Sequence, residues 1–277
     1  MITIGQVYDL EVIKLVAFGA YLDAHELGEV LLPNKNAPEN MAIGDTVEVF
    51  LYLDSEGRLV ATNHSPRVMV GEFAYLQAVD TSKVGAFLDW GLDKDLFVPF
   101  AEQHRPMQVG HSYLVYVYIG LDGRIVASSK IDKFLDDEKP HDYKAGQPVQ
   151  LIIANSTELG FKAIIDHSHW GVLYKNEVHQ RLSFGQSING YIKYVRPDGK
   201  IDLTLQGGKE TRDKYEKIIL QYLNKQKGFA PVHDKSDPQL ISDLFGMSKG
   251  AFKRAIGGLY KQRIISIEKD GIRLLDK

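Results

Sequence analysis

Aromatic and basic side chains alternate in two stretches between residues 161 and 200, "FKAIIDHSHWGVLYK" and "YIKYVRPDGK". The candidate side chains are Phe161, Lys162, His167, Trp170, Lys175, Tyr191, Lys193, Arg196 and Lys200. Aromatic rings stack on planar bases, at about 1–3 kcal/mol per base, while cations attract phosphates. The pattern therefore predicts a surface that holds a single-stranded polyanion. For Trp170, packing in a core or between domains is an open alternative.

A second basic row lies near the C-terminus, in "SKGAFKRAIGGLYKQR". Phe252, Ala255, Ile256 and Leu259 recur at helical spacing and predict the inward stripe of an amphipathic helix. The opposite face then carries the candidate cations Lys249, Lys253, Arg254 and Lys261, with Arg263 just beyond the helix. A basic helical face is typical of nucleic-acid readers. It is also typical of an ordinary solvated face, and both readings stay open here.

That helix is the third of three predicted after residue 209. The first is ended by Gly228, the second is capped by Ser236 or Asp237 next to a proline suited to the first turn, and the third is capped by Ser248. The segment "IISIEKDGIRLL" then predicts a two-stranded hairpin. Three helices followed by a hairpin predict a winged helix, with helices two and three forming a helix-turn-helix.

The preceding residues contain a threefold repeat that is marked by glycines. The glycines fall into four sets, and each set has one member in every copy at matching spacing. The first set is Gly5, Gly71 and Gly146; the second is Gly19, Gly85 and Gly160; the third is Gly44, Gly110 and Gly185; the fourth is Gly57, Gly123 and Gly199. Repeated spacing of this kind indicates copies of one structural unit. Each copy alternates apolar and polar residues and ends in an Asp/Gly turn, which predicts five short strands in a small closed barrel of the OB type. A triplicated β-sandwich is the alternative.

The repeated units resemble the S1 domain, an RNA-binding OB fold, in two segments of each copy. These segments are "FGAYLD" and "DSEGRLVAT" in the first copy, "VGAFLD" and "LDGRIVAS" in the second, and "LGFKAIID" and "PDGKIDLT" in the third. Three such units before a helical C-terminus resemble the bacterial conserved virulence factor B family. This resemblance implies a mainly β chain of three tandem S1-like OB barrels and an α+β winged helix. The predicted domains are 1–65, 66–139, 140–208 and 209–277.

The S1 resemblance implies a binding face of two aromatic residues, a histidine, and an Asp and Arg. In the first copy Phe18 and Tyr21 match the aromatic positions, Arg58 matches the basic one, and Leu32 replaces the histidine. The second copy keeps Phe87 and Arg124, and the third matches loosely through Phe161 and Lys200. We treat the residues of the first two copies as weaker candidates.

Strand phase makes two further predictions about which side chains face outward. In the second copy Leu114, Tyr116 and Tyr118 fall on the outward phase, which predicts a contact between units. In the third copy Tyr191 and Lys193 are expected outside and Tyr194 inside.

Net charge rises along the chain. With histidine neutral, 3 basic and 10 acidic residues give −7 over 1–65, and 8 against 11 give −3 over 66–139. Then 7 against 6 give +1 over 140–208, and 15 against 9 give +6 over 209–277. A polyanion is repelled by the first unit and attracted by the last. We therefore expect the third unit and the winged helix to bind nucleic acid, with the first two units as scaffold or as modules that contact a partner.

Other function classes find little support. The chain has no cysteine, which excludes disulfides and thiol chemistry and is typical of the cytoplasm. No membrane-spanning run, phosphate-binding loop or catalytic motif is found, so we expect neither an enzyme nor a cofactor. A metal held by His167, His169 and His179 is a minor alternative.

The sequence thus predicts a monomeric, cytoplasmic protein that binds single-stranded RNA, and the family resemblance implies a role in regulating expression. Two other readings stay open. One is a winged-helix transcription regulator that binds duplex DNA, and the other is a scaffold that docks on a ribosome or polymerase.

Overall fold

The structure is a computed structural model that describes residues 2–38, 40–135, 140–178, 180–206 and 209–275. It divides into two compact units. The first comprises Met1–Pro140, Leu151–Gly171 and Gln180–Ile188. The second comprises His141–Gln150, Val172–His179 and Asn189–Lys277.

The strands described before residue 206 form closed five-stranded barrels. The first contains β1 (Val7–Val16), β2 (Gly19–Asp23), β3 (Glu29–Pro33), β4 (Thr46–Leu53) and β5 (Leu59–Thr62), paired in the order β1-β2-β3-β5-β4. The second contains β6 (Phe73–Thr81), β7 (Gly85–Leu88), β8 (Leu96–Pro99), β9 (Ser112–Ile119) and β10 (Ile125–Ser128), in the order β10-β8-β7-β6-β9. The third contains β11 (Pro148–Ser156), β12 (Gly160–Ile165), β13 (His169–Tyr174), β14 (Ser187–Val195) and β15 (Ile201–Thr204), in the order β11-β12-β13-β15-β14.

Short 3-10 helices connect some of these strands. One follows the third strand of every barrel, at Asn34–Asn36, Phe100–Glu102 and Lys175–Glu177, and others lie at His25–Leu27 and Ile131–Lys133. Alternating apolar residues of each strand fill the barrel interiors, as in the first barrel, where Leu10, Val12, Leu22 and Leu32 are buried together.

The glycine repeat has a backbone explanation. The first glycine of each copy has a positive φ and donates its N–H to the strand opposite, from Gly5 to Leu51, from Gly71 to Val117 and from Gly146 to Ile192, at 2.7–2.8 Å. The third glycine of each copy also has a positive φ and donates to the first strand of its barrel. Because L-residues are strained at positive φ, these turns favour glycine in all three copies.

The second glycine of the first two copies meets a different constraint. At Gly85, an added Cβ would lie 2.3 Å from the backbone oxygen of Val98 and 2.6 Å from the ring of Phe97. At Gly19, it would lie 2.3 Å from the oxygen of Leu32. Neighbouring strands therefore approach too closely for any side chain at these positions.

A β-bulge changes the side-chain phase of β14. The register of β14 against β15 shifts between Ile192 and Tyr194. Before the bulge Ile192 is buried, as predicted, but Tyr194 is 53% exposed. The prediction that Tyr194 faces the core is therefore wrong, because the inserted residue reverses the alternation.

The C-terminal elements are α1 (Lys209–Lys225), β16 (Phe229–Ala230), α2 (Pro238–Phe245), α3 (Lys249–Lys261), β17 (Ile265–Ile267) and β18 (Ile272–Leu274). Asp237 caps α2 by accepting from the N–H of Gln239 at 2.8 Å, and Gly246 ends α2 in the left-handed conformation. Ser248 caps α3 by accepting from the N–H of Ala251. The helix-turn-helix thus forms with the predicted capping residues.

The predicted hairpin is one strand short of the observed sheet. β16 pairs with β18, and the sheet order is β16-β18-β17. The predicted inward stripe of α3 is confirmed, since Phe252, Ala255, Ile256 and Leu259 are at most 1% exposed and share one core with residues of α1 and α2.

The predicted fold class is confirmed, with OB-like barrels followed by a small helical and β region. The domain boundaries at 65, 139 and 208 stay a prediction, and residues 136–139 of the linker lie outside the described residues. Among the described helices, none combines the length and apolar character that a membrane span requires.

Candidate nucleic-acid interface

The outer face of α3 carries cations that form no ion pair within the described part of the chain. Lys253, Arg254 and Lys261 are exposed, Lys249 is half-buried, and Arg263 is exposed just after the helix. None of them forms an ion pair with any described residue. The capped, well-packed helix therefore presents Lys253, Arg254 and Lys261 to solvent, where their charge can attract a polyanion.

Two of the predicted cations of the third barrel, Lys193 and Arg196, are paired instead. Lys193 bonds to Glu177, and this bond raises the pKa of Lys193. Arg196 donates to Asp202 at 2.8 Å, which raises the pKa of the guanidinium. A carboxylate at this distance cancels much of a cation's field, so the pairs attract a phosphate less than their formal charge suggests.

Three further candidates of this barrel are more accessible. Lys200 lies 3.4 Å from Asp198 in an exposed turn. Lys175 is exposed and has no ion-pair partner among the described residues. Tyr191 is half-buried, whereas Tyr194, which the phase argument placed inside, exposes its ring.

Trp170 and Lys162 belong to a packed cluster. Trp170 is 9% exposed, and the ammonium of Lys162 lies 3.8 Å from its ring centroid. The same cluster contains Phe73 and Leu114, with Tyr116 packed against it. Trp170 therefore takes the alternative role of packing in a core or between domains, because a buried ring offers no face to a base. The predicted contact through Leu114 and Tyr116 is also found.

His167 is bound to the second barrel. Its Nδ1 accepts from the backbone N–H of Phe73 at 2.9 Å, and the two rings are parallel with centroids 6.5 Å apart. His167 has a positive φ of 56°, so a local turn places the ring there. Phe161 is half-buried on the strand that precedes this turn.

The first barrel keeps only part of the S1-like face. Phe18 is exposed and Tyr21 is half-buried, with the ammonium of Lys14 5.8 Å from the Tyr21 ring. Arg58 is bound to Asp54 at 2.7 Å and to Glu56 at 2.9 Å.

Leu32 does not lie on the binding face, where it was expected to replace the S1 histidine. Its side chain is fully buried, while Leu31 and Pro33 on either side of it are half-buried on the outward phase. Leu32 therefore does not replace the S1 histidine on an exposed face.

The second barrel has the most complete aromatic face. Phe87 pairs across the strands with Phe97, and the ring centroids are 5.3 Å apart. Phe100, directly after β8, is 58% exposed. Phe97 and Phe100 were missed, because only the pairing of β7 with β8 places Phe97 beside Phe87. The alternation of "LFVPF", with Leu96 and Val98 inside, could have indicated it.

Arg124 connects this face to the first barrel. Its guanidinium donates to the backbone oxygen of Ser55 at 3.0 Å, and its Nε lies 3.8 Å from Asp122. Beside it lies a groove between the β4–β5 turn and the second barrel.

No metal site is indicated in the part of the chain that the structure describes, where no group of three His, Cys, Asp or Glu side chains gathers. His169 is buried and close to the Ser168 hydroxyl at 2.8 Å. His179, the third histidine of the metal alternative, lies outside the described residues.

Comparison with known proteins agrees with these domains. Residues 4–64 match the S1 domain family, and residues 217–274 match the CvfB-like winged helix domain family. Proteins named conserved virulence factor B from Staphylococcus aureus are 28% identical over 293 aligned positions, which cover 99% of this chain and 95% of theirs. The predicted resemblance to the conserved virulence factor B family is confirmed. This resemblance extends over nearly the whole chain.

A solved structure of similar length comes from Streptococcus pneumoniae and is described as a multidomain protein with nucleic acid binding domains. It is 21% identical, covers 98% of each chain and has a TM-score of 0.40. A TM-score of this size carries no conclusion about this chain.

Proposed function

We propose that this protein binds single-stranded RNA and that the outer face of α3 supplies the main attraction for the phosphate backbone. The observation that carries the proposal is that Lys253, Arg254 and Lys261 form no ion pair with any described residue, in contrast to Lys193 and Arg196 of the third barrel. Cations without protein partners release bound counterions from a nucleic acid and so supply sequence-independent affinity.

Exposed aromatic residues accompany this charge in the second compact unit. Tyr260 on α3 is 57% exposed, and Tyr194 on β14 is 53% exposed. Lys175 and Lys200 lie on the same barrel as Tyr194. Exposed rings next to cations favour single strands, because the bases of a duplex are not free to stack on a side chain. This combination supports single strands over the winged-helix alternative of reading duplex DNA.

The wider role follows from the domain types. S1-like OB barrels and winged helices are folds that bind nucleic acids. Binding of single-stranded RNA by these domains would support a role in regulating expression after transcription. We propose a binding protein, not an enzyme, that acts as a monomer in the cytoplasm.

The test compares three fluorescently labelled probes, a single-stranded RNA, the same sequence as single-stranded DNA, and a duplex DNA. Full-length protein and the double variant K253E/R254E are titrated by fluorescence anisotropy. The control is K144E/K225E, which has the same charge change at exposed lysines outside α3 that have no ion pairs among the described residues.

We expect tightest binding to single-stranded RNA and a loss of at least tenfold in K253E/R254E, with a much smaller loss in the control. Preference for the duplex, lost in K253E/R254E, would replace the proposal by the transcription-regulator reading. Absence of binding to every probe at low salt would leave the scaffold reading.

A further inference from the structure

The groove between the first two barrels has features of a base-binding site. Its first-barrel wall is the end of β4 and the following turn, at residues 52–55. Its second-barrel wall contains Trp90, residues 94–97, Arg124 and Ile125. Both walls lie in the first compact unit, in the region for which the charge gradient predicts a scaffold role.

The two barrels are held together at the base of this groove. Trp90 packs edge-on against Phe50 of the first barrel, with ring centroids 5.7 Å apart, and its indole N–H donates to the backbone oxygen of Lys94 at 2.6 Å. Gln6 donates to the backbone oxygen of Val70 at 2.8 Å. The groove is therefore a fixed feature of two packed barrels, which favours recognition of a rigid ligand.

Aromatic rings line the groove. Tyr52 comes from the first barrel, and Phe97 and Trp90 from the second. Phe97 is also a member of the half-buried pair with Phe87, so the groove continues the aromatic face of β7 and β8. The close approach at Gly85 allows the Phe97 ring to lie over β7. A flat base that enters the groove thus meets a ring on which it can stack.

Asp95 supplies the polar contact. It lies on the wall of the groove and has no hydrogen-bond or ion-pair partner among the described residues. Partial burial and the nearby Asp89 and Asp80 raise the pKa of Asp95 above its usual value. This carboxylate offers two acceptor oxygens and, when ionised, no donor. It therefore selects a ligand that presents adjacent donors.

Two cations flank the same groove. Arg124 is half-exposed, and its guanidinium is anchored on the Ser55 backbone oxygen. Lys94 is exposed and has no ion-pair partner among the described residues. An aromatic wall, a carboxylate acceptor and cations at the rim are the groups that a nucleotide needs for stacking, base-edge recognition and phosphate contact.

We propose that this groove binds a guanine base of single-stranded RNA, with Phe97 stacking on the base and Asp95 accepting from the N1–H and N2 amino groups. Among the four bases, guanine presents these two adjacent donors to a carboxylate, while uracil and adenine present fewer on that edge. The identity of the larger ligand as RNA rests on the proposed function, but the groove and its residues are separate from α3.

The test uses three short RNAs that differ at one position, U4GU4, U4IU4 and U9. Inosine lacks only the 2-amino group of guanosine, so the comparison isolates one of the two donors. Binding is followed by anisotropy and by tryptophan fluorescence, since Trp90 lines the groove. W90F assigns the fluorescence signal, because the other tryptophan of the chain is Trp170.

The variants are D95N, F97L and the matched control E48Q, which removes the same charge at an exposed first-barrel residue without a partner among the described residues. We expect U4GU4 to quench Trp90 and to bind about tenfold more tightly than U4IU4. D95N should remove this discrimination, F97L should weaken binding of U4GU4, and E48Q should preserve both.

The outcomes separate the two proposals. Equal affinity for U4GU4 and U4IU4, or discrimination that persists in D95N, overturns the guanine site and leaves RNA binding through α3 intact. Absence of any Trp90 response also overturns the guanine site, whether or not RNA binds. Discrimination that persists in K253E/R254E without loss of overall affinity supports the groove and contradicts the role of α3.

Discussion

Ion pairing divides the basic residues of this chain into two groups. Arg58, Lys193 and Arg196 are bound to carboxylates, while Lys253 and Lys261 have no ion pair among the described residues. Sequence shows a cation but not its partner, since the partners of Arg196 and Lys193 lie 6 and 16 residues away. The structure therefore moves the emphasis of the binding surface from the third barrel to α3.

The turn of Asp54 and Arg58 allows a direct test of one such pair. The pKa of Asp54 is lowered to about 2, first by the backbone N–H of Arg58 and then by its guanidinium. Because the folded value lies below the ordinary 3.8, this group stabilises the fold above pH 3.8 and the contribution is lost as the pH falls towards 2.

An NMR titration should therefore find the Asp54 carboxyl titrating near pH 2. In R58Q its pKa should rise but stay below 3.8, because the N–H groups of Glu56 and residue 58 still donate to it. A value of 3.8 or above in wild-type protein would contradict the observed turn.

Two glycines provide a matched pair of substitutions. Gly85→Ala places a Cβ 2.3 Å from the Val98 backbone oxygen, so we expect a loss of about 1–3 kcal/mol in the free energy of unfolding and a displaced Phe97 ring. Gly257→Ala in α3 meets nothing within 4 Å and should stabilise the helix by up to about 1 kcal/mol.

Chemical denaturation of both glycine variants measures these changes, and hydrogen exchange assigns each one to its domain. Equal effects of the two substitutions would show that the close approach at Gly85 is absent.

At the scale of elements, turns and helix caps were predictable from the sequence. The inward or outward direction of side chains along a strand was less predictable. Asp237, Gly246 and Ser248 take the roles that their residue types favour, because capping depends on a few consecutive residues. The bulge near Lys193 and the short strand β16 depend on pairing with distant residues. Local alternation therefore misplaced Tyr194, and the hairpin prediction lacked one strand.

The cap of α2 can be tested by Asp237→Ala. The substitution removes the acceptor for the Gln239 N–H, so it should destabilise α2 by about 1 kcal/mol. Ser242→Ala, at an exposed position inside α2, should cause little change. Hydrogen exchange of the α2 amides reports both, and protection unchanged in Asp237→Ala would contradict the cap.

At the scale of the molecule, the glycine spacing was sufficient to predict repeated barrels, because the first, third and fourth glycines have a positive φ in all three copies. The aromatic face of the second barrel was only half predicted. Phe87 was named, but Phe97 joins it through strand pairing, and the groove beside it arises from the packing of two barrels. Contacts of this kind carry no local sequence signal.

The charge gradient from −7 in the first predicted domain to +6 in the last leads to the central claim that the exposed cations of α3 contact phosphates. Its most direct test is the salt dependence of binding to single-stranded RNA. For single strands, the slope of log K against log salt falls by about 0.7 for each phosphate contact that is lost. K253Q/R254Q should therefore reduce the slope by about 1.4, while K144Q/K225Q should leave it near the wild-type value. A slope unchanged in K253Q/R254Q would contradict the account.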